Sequence, residues 1–336
     1  MASATSSTHN LEIEVDDTAT PANPYDDHGE VFEGSLELAA STASAKSSIF
    51  RFQVENGRTY HAYKAGKYIL PNDEAENNRL DLQSHLCYMT LNRRLYLAPL
   101  GDNVKRVLDV GTGTGIWAIN YADEHPDVEV IGMDLSPVQP LFVPTNLMFE
   151  IDDLEESWTF SSKFDYIHAG MMCGSFHNWP KFYQQSFDNL NSGGYLEIMD
   201  IGFPVRCDDD TMPKDCALYQ WCIYIKQAAD NVGVKLDACL HAKEDMHRAG
   251  FVDVVEIPYK WPQNRWPKQK KFKELGMWTS ENFNMGLEGM SLALLTRGLG
   301  WSLQEVNVLC AHTRLDMANT GIHAYWPIVT IYGRKP

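Results

Sequence analysis

The chain has 336 residues, 44% of them apolar and 22% charged, which is ordinary for a soluble globular protein and enough for one large core or two. With 45 acidic against 28 basic residues its net charge is −17; this argues against nucleic acid or an anionic membrane as partner, because phosphate surfaces require clustered cations. Seven cysteines without a C-x-x-C pair point to free thiols in a reducing compartment, with no zinc framework and no metal site expected.

Residues 1–48 are rich in Ser, Thr, Ala, Asp and Pro, with few large apolar side chains, and read as a disordered tail. Met1 to Asn10 has no apolar core, so no secretory leader is expected, and no stretch approaches a membrane span. Localisation is therefore expected to be cytoplasmic or nuclear. Residues 49–100 read as an N-terminal helical cap: aromatics recur at Phe52, Tyr60, Tyr63 and Tyr68, and Asp73 has the character of a helix N-cap. Leu80, Cys87, Leu91 and Leu95 then fall near one helical face.

Residues 101–336 read as one α/β domain, a doubly wound parallel sheet with helical insertions near 212–231 and 261–317. Val107 to Val110 suits a central strand, and it runs directly into Gly111-Thr112-Gly113-Thr114-Gly115, where the chain can turn tightly and let backbone approach a ligand. Ile116 onward has helical spacing, so free N–H groups at that helix start face the same place. A second apolar run closes on Asp134, about 20 residues after the glycines, the spacing for a carboxylate that accepts ribose hydroxyls. A third strand, Leu147 to Ile151, precedes Asp152 and Asp153; a fourth spans Phe164 to Ala169 and a fifth Gly194 to Met199.

Three ligand classes use such a turn. A P-loop needs Gly-Lys-Ser/Thr at the helix start and is excluded by Gly115-Ile116-Trp117. Gly113 to Ala118 does satisfy the dinucleotide pattern G-x-G-x-x-A, which keeps a nicotinamide dehydrogenase in view. Asp109, two residues before the first glycine, would repel a pyrophosphate and hold a cation, and S-adenosylmethionine carries an ammonium and a sulfonium.

The stretch from Val107 to Gly115 resembles the first motif of the class I S-adenosylmethionine-dependent methyltransferases, apolar-apolar-Asp-apolar-Gly-x-Gly-x-Gly, at every position. A narrower resemblance, from about Gln53 onward, is to the fungal LaeA-like or UMTA-type methyltransferases of secondary metabolism. It is carried by Glu55 to His61, Tyr68 to Asp73, Arg79-Leu80-Asp81, Gly174 to Trp179 and Ile322 to Tyr325. The chain departs from the class I pattern at Ser192, commonly Pro, and from the narrower group at Gly170, where many members carry a long polar side chain.

The resemblance implies a Rossmann-like seven-stranded sheet whose last strand, Ala324 to Tyr332, enters antiparallel. It implies S-adenosylmethionine held by Asp109, Gly111, Thr112, Gly113 and Gly115, with Asp134 and Leu135 at the ribose and Asp152 or Asp153 at the adenine amino group. Tyr60, Tyr63 and Tyr68 are candidate lid residues at the sulfonium, with plain core packing as the alternative. A base is required only for a hydroxyl, thiol or protonated amine acceptor, and His168, which is also a candidate contact to the cofactor, His177 and His85 are the candidates; each also has a plain packing role as its alternative. Asp200 could join Asp134 or Asp209 around a divalent ion, yet Asp208 to Asp210 reads more simply as a solvated run, as do Lys268 to Lys273. The partner implied is a small-molecule acceptor. The alternative is a regulatory protein of LaeA type that works through a protein complex.

Overall fold

The computed structural model describes residues 12–20 and 48–336. Its centre is a seven-stranded sheet in the order β5-β4-β3-β6-β7-β9-β8, formed by β3 (Arg106–Val110), β4 (Glu129–Asp134), β5 (Leu147–Ile151), β6 (Phe164–Gly170), β7 (Leu190–Ile201), β8 (Val252–Pro262) and β9 (Tyr325–Arg334). The strands β3 to β7 run parallel, and β9 is antiparallel to both β7 and β8. The expected doubly wound α/β fold is the one observed. Chain order reverses at β3, which has β4 on one side and β6 on the other, and such a switch point opens a crevice at the carboxyl ends of the strands.

The helices α2 (Ile116–Glu124), α3 (Trp179–Asn189) and α5 (Ala242–Ala249) cover the sheet faces. Val107, Leu108 and Val110 are fully buried, as a central strand covered on both sides requires. Beyond the sheet, α1 (Glu74–Thr90) packs on α6 (Lys270–Ala293), and α4 (Ala217–Asn231) packs on α7 (Leu303–Ala318). Their shared core includes Trp221, Trp261, Phe283 and Trp326. Phe283 stacks on Trp326 with ring centroids 4.1 Å apart, a geometry that adds about 0.5–1.5 kcal/mol to the burial itself. Asp73 caps α1 by accepting the Glu76 N–H, and Ser302 and Glu305 form a reciprocal capping box on α7.

Three local expectations are revised. The 49–100 segment holds more than a helix: β1 (Gln53–Glu55) and β2 (Arg58–Tyr60) form a hairpin before α1. The insertion expected to begin at 261 starts later: β8 runs on to Pro262, so Trp261 pairs with Trp326 inside the sheet. Residues 12–20, read as tail, lie along the chain before α6: the Asp16 N–H donates to the Trp266 carbonyl, the Glu14 carbonyl accepts from Lys268, and Asp16 pairs with Lys273. The remaining residues assigned to the tail, 1–11 and 21–47, lie outside the described residues. Among the described residues no helix is long and apolar enough to cross a membrane, and all seven cysteines are free thiols.

Candidate functional site

A cavity of about 290 Å³ sits at the switch point, floored by the glycine turn and the ends of β3, β4, β6 and β7 and roofed by α1. The turn has no room for a side chain at Gly111 or Gly115. Gly115, at φ +83, caps α2, and a Cβ there would overlap the ring of Phe149. The turn is tied to α1 by Thr114, whose hydroxyl donates to Asp81 at 2.6 Å.

Asp134 ends β4 with one carboxylate oxygen accepting the Gly113 N–H at 2.8 Å and the other accepting the Ser136 N–H at 2.9 Å. Burial pushes its carboxyl above the usual range. Leu135 and Ser136 continue the same wall. At the next strand the two adjacent acids separate by environment. Asp153 is buried, paired with Lys67 and accepting the Glu155 N–H, whereas Asp152 is exposed and accepts the Tyr63 hydroxyl at 3.1 Å.

Asp109 is 2% exposed, and both of its oxygens are engaged: Oδ2 accepts the Thr112 hydroxyl at 2.6 Å, and Oδ1 lies 2.7 Å from His168 Nδ1. Instead of standing bare as a counter-charge, it holds the turn and an imidazole together. His168 pairs across the sheet with Asp109 on β3 and with Glu197 on β7, so the three side chains share one row. Glu197 is buried and accepts the N–H groups of Leu97 and Ala98, anchoring the segment that brings Arg94 and Leu95 to the cavity. The His168 ring lies flat on Trp117, and a Cβ on Gly170 would stand 3.2 Å from its Cε1 atom. The absent side chain at 170 therefore leaves that edge of the ring facing the cavity.

The other candidates divide. His85 and Tyr68 line the cavity, and the Tyr68 phenol, beside Ser175, is held well above its ordinary range by burial. His177 is an exposed loop residue paired with Glu155 and is not part of the cavity wall. Tyr60 is buried beneath the Arg297 guanidinium and is not part of the cavity wall. Asp208 pairs with Lys260 and Tyr325, and Asp209 with His323. Among the described residues no three His, Cys, Asp or Glu side chains cluster to hold a metal.

Several lining residues escaped the sequence reading: Glu197, Trp117, Lys67 and Ser175. Only Glu197 left a usable signal, an acid inside an otherwise apolar strand. His61, part of the Glu55 to His61 signature, receives the Tyr68 N–H on Nε2 and lies 2.6 Å from the Tyr63 carbonyl through Nδ1, which assigns the proton to Nδ1 and braces the lid loop.

Six acids (Asp109, Asp134, Asp152, Asp153, Glu155 and Glu197) and only two Lys or Arg residues (Lys67 and Arg94) line the cavity. That balance fits a ligand carrying positive charge and disfavours a pyrophosphate.

The profile of the family described as "Methyltransferase domain" matches residues 82–254. Methyltransferase pytC of Aspergillus terreus is 37% identical over 303 residues, covering 90% of this chain and 94% of that protein. Secondary metabolism regulator LAE1 of Cochliobolus heterostrophus is 36% identical over 290 residues, covering 84% and 94%. Among solved structures, the phosphoethanolamine N-methyltransferase 2 of Haemonchus contortus, in complex with phosphomonomethylethanolamine and S-adenosylhomocysteine, aligns with a TM-score of 0.44 and 16% identity, over 77% of this chain and 52% of that one.

Proposed function

The chain belongs to the methyltransferase-domain family and takes S-adenosylmethionine as its methyl donor; from that premise we propose that it methylates a small, largely apolar molecule of fungal secondary metabolism. The observation that carries the reading is Asp134, a carboxylate at the switch point beside a glycine turn in an acid-lined cavity. The nicotinamide reading loses its support to the same acids.

The donor supplies a methyl group already made electrophilic by its sulfonium, so alignment and exclusion of water are the protein's main contributions. Asp134 accepts the ribose hydroxyls with the lone pairs left after Gly113 and Ser136. Asp152, whose partner Tyr63 is a neutral donor, accepts from the adenine amino group more readily than Asp153, which is committed to Lys67. Gly111, Thr112, Gly113, Gly115 and Leu135 shape the floor, and Asp109 acts through Thr112 and His168. With Nδ1 donating to Asp109, His168 presents Nε2 as the group that takes the acceptor's proton. Tyr68 closes the lid side. His85, at the cavity mouth, contributes to acceptor binding, and His177 and Tyr60 have supporting roles outside the cavity.

Cys87, Tyr88, Leu91, Leu95, Met171 and Met199 also line the cavity, which supports an apolar acceptor. Transfer of a tritiated methyl group from S-adenosylmethionine into solvent-extractable products of a fungal metabolite extract tests the proposal. The relation to a protein named as a regulator supports a second reading, action through a protein complex; label retained only in precipitated protein, with none in extractable products, would favour it over the first.

A further inference from the structure

Asp200 is a buried acid at the carboxyl end of β7 that the reading above leaves without a task. It is 1% exposed; Oδ1 accepts the N–H groups of Cys173 at 3.1 Å and Ile201 at 2.8 Å, and Oδ2 is buried without a partner. A carboxylate that gives up water on both oxygens is retained where its hydrogen bonds hold something in place.

What it holds is the 171–175 segment leaving β6. Met171, Met172 and Ser175 of this segment line the cavity. Met171 stands at φ +52, a left-handed backbone that a side-chain-bearing residue adopts only when its surroundings impose it. Three bonds impose it here: Met171 N–H to the Met199 carbonyl, Ser175 N–H to the Met172 carbonyl, and Cys173 N–H to Asp200. Held in this way, the Met172 thioether fills the space that a side chain on Gly111 would occupy. The segment therefore stands between the donor half and the acceptor half of the cavity.

We propose that Asp200 is a positioning residue for methyl transfer: its carboxylate clamps segment 171–175, seating Met172 on the glycine turn and Met171 along the acceptor wall. The proposal rests on the functional reading above. The titratable groups facing Asp200 are Cys87 from α1, Cys173 from the segment itself, Tyr183 from α3 and Cys239 from the turn at 238–241, each raised by burial and neutral near pH 7. With those neutral neighbours, burial lifts the Asp200 carboxyl to about 7. An ionised acceptor binds N–H groups more strongly than a neutral one, so the clamp loosens as pH falls through neutrality.

Titration with S-adenosylhomocysteine from pH 6 to pH 8.5 tests this. Wild-type protein binds about three- to tenfold more weakly at the acid end. Asp200→Asn, which keeps an acceptor oxygen and cannot ionise, loses that dependence. Asp200→Ala binds weakly throughout, and Asp200→Asn remains informative if the alanine variant does not fold. Binding by Asp200→Asn that keeps the wild-type pH dependence would overturn this inference alone. Failure of wild-type protein to bind at any pH would overturn it together with the functional reading.

Discussion

His168 Nδ1 lies 2.7 Å from Asp109 Oδ1, and the imidazole is stacked on Trp117 with centroids 3.7 Å apart and planes within 5°. Two constraints, one polar and one aromatic, leave the ring no rotational freedom. The acid that the sequence offers as a counter-charge for the donor is thereby an orienter of the candidate base.

Removing the base while keeping the turn should separate catalysis from binding. His168→Ala is expected to lower kcat for the acceptor by about 10²–10⁴, the range for general-base loss, with S-adenosylhomocysteine affinity changed by no more than a few-fold. Asp109→Asn lowers both, because Thr112 also depends on it. Single-turnover rates and calorimetric affinities on the two variants check this; equal loss of both quantities in His168→Ala contradicts it.

Gly115→Ala places a Cβ on the Phe149 ring at a left-handed φ. Backbone strain of this kind is of order 1–3 kcal/mol before any displacement of the ring. Urea denaturation should show a lower midpoint at unchanged slope, together with weaker binding of S-adenosylhomocysteine.

Arg79 and Glu76 are each 3% exposed and paired within α1, and Arg79 also donates to Asn282 of α6 at 2.9 Å. This contact joins the cavity roof to the outer helices. Arg79→Met leaves Glu76 buried and unpaired, which costs about 3–5 kcal/mol. Combining it with Glu76→Leu removes the stranded charge, so the double variant should recover part of that loss in the same denaturation assay.

Asp200 also makes a prediction about stability. Its carboxyl titrates near 3.8 when exposed and at about 7 in the fold, so between those values the folded chain binds the extra proton. The contribution of this group to stability therefore falls as pH rises from about 4 to about 7 and is level above that. Subtracting the denaturation profile of Asp200→Asn from that of wild type isolates the slope; a difference profile flat across this window contradicts the assignment.

The sheet was legible because a buried strand, a glycine turn and a strand-ending acid are each local in sequence, and Asp134 and the turn stand where their spacing puts them. The Asp109–His168–Glu197 row was not, because register between strands joined by helices is set by packing and leaves no mark in one strand's own sequence. Asp152 and Asp153 are adjacent and chemically alike, and the side chains that distinguish them, Tyr63 on Asp152 and Lys67 on Asp153, lie 89 and 86 positions away. His177 shows the reverse failure: a polar loop residue close in sequence to β6 turns outward to Glu155. Ties from residues 12–20 to Trp266 and Lys273 depend on contacts some 250 residues apart, beyond the reach of composition.

The central claim is that Asp134 reads the ribose of S-adenosylmethionine in this cavity. Isothermal titration of S-adenosylhomocysteine into wild type and Asp134→Ala tests it most directly. One site per chain is predicted, with affinity reduced by about 10²–10⁴ in the variant, since two hydroxyl bonds to a carboxylate at about 1.5–3 kcal/mol each are lost. No heat of binding to wild type, or equal affinity in the two proteins, would contradict it.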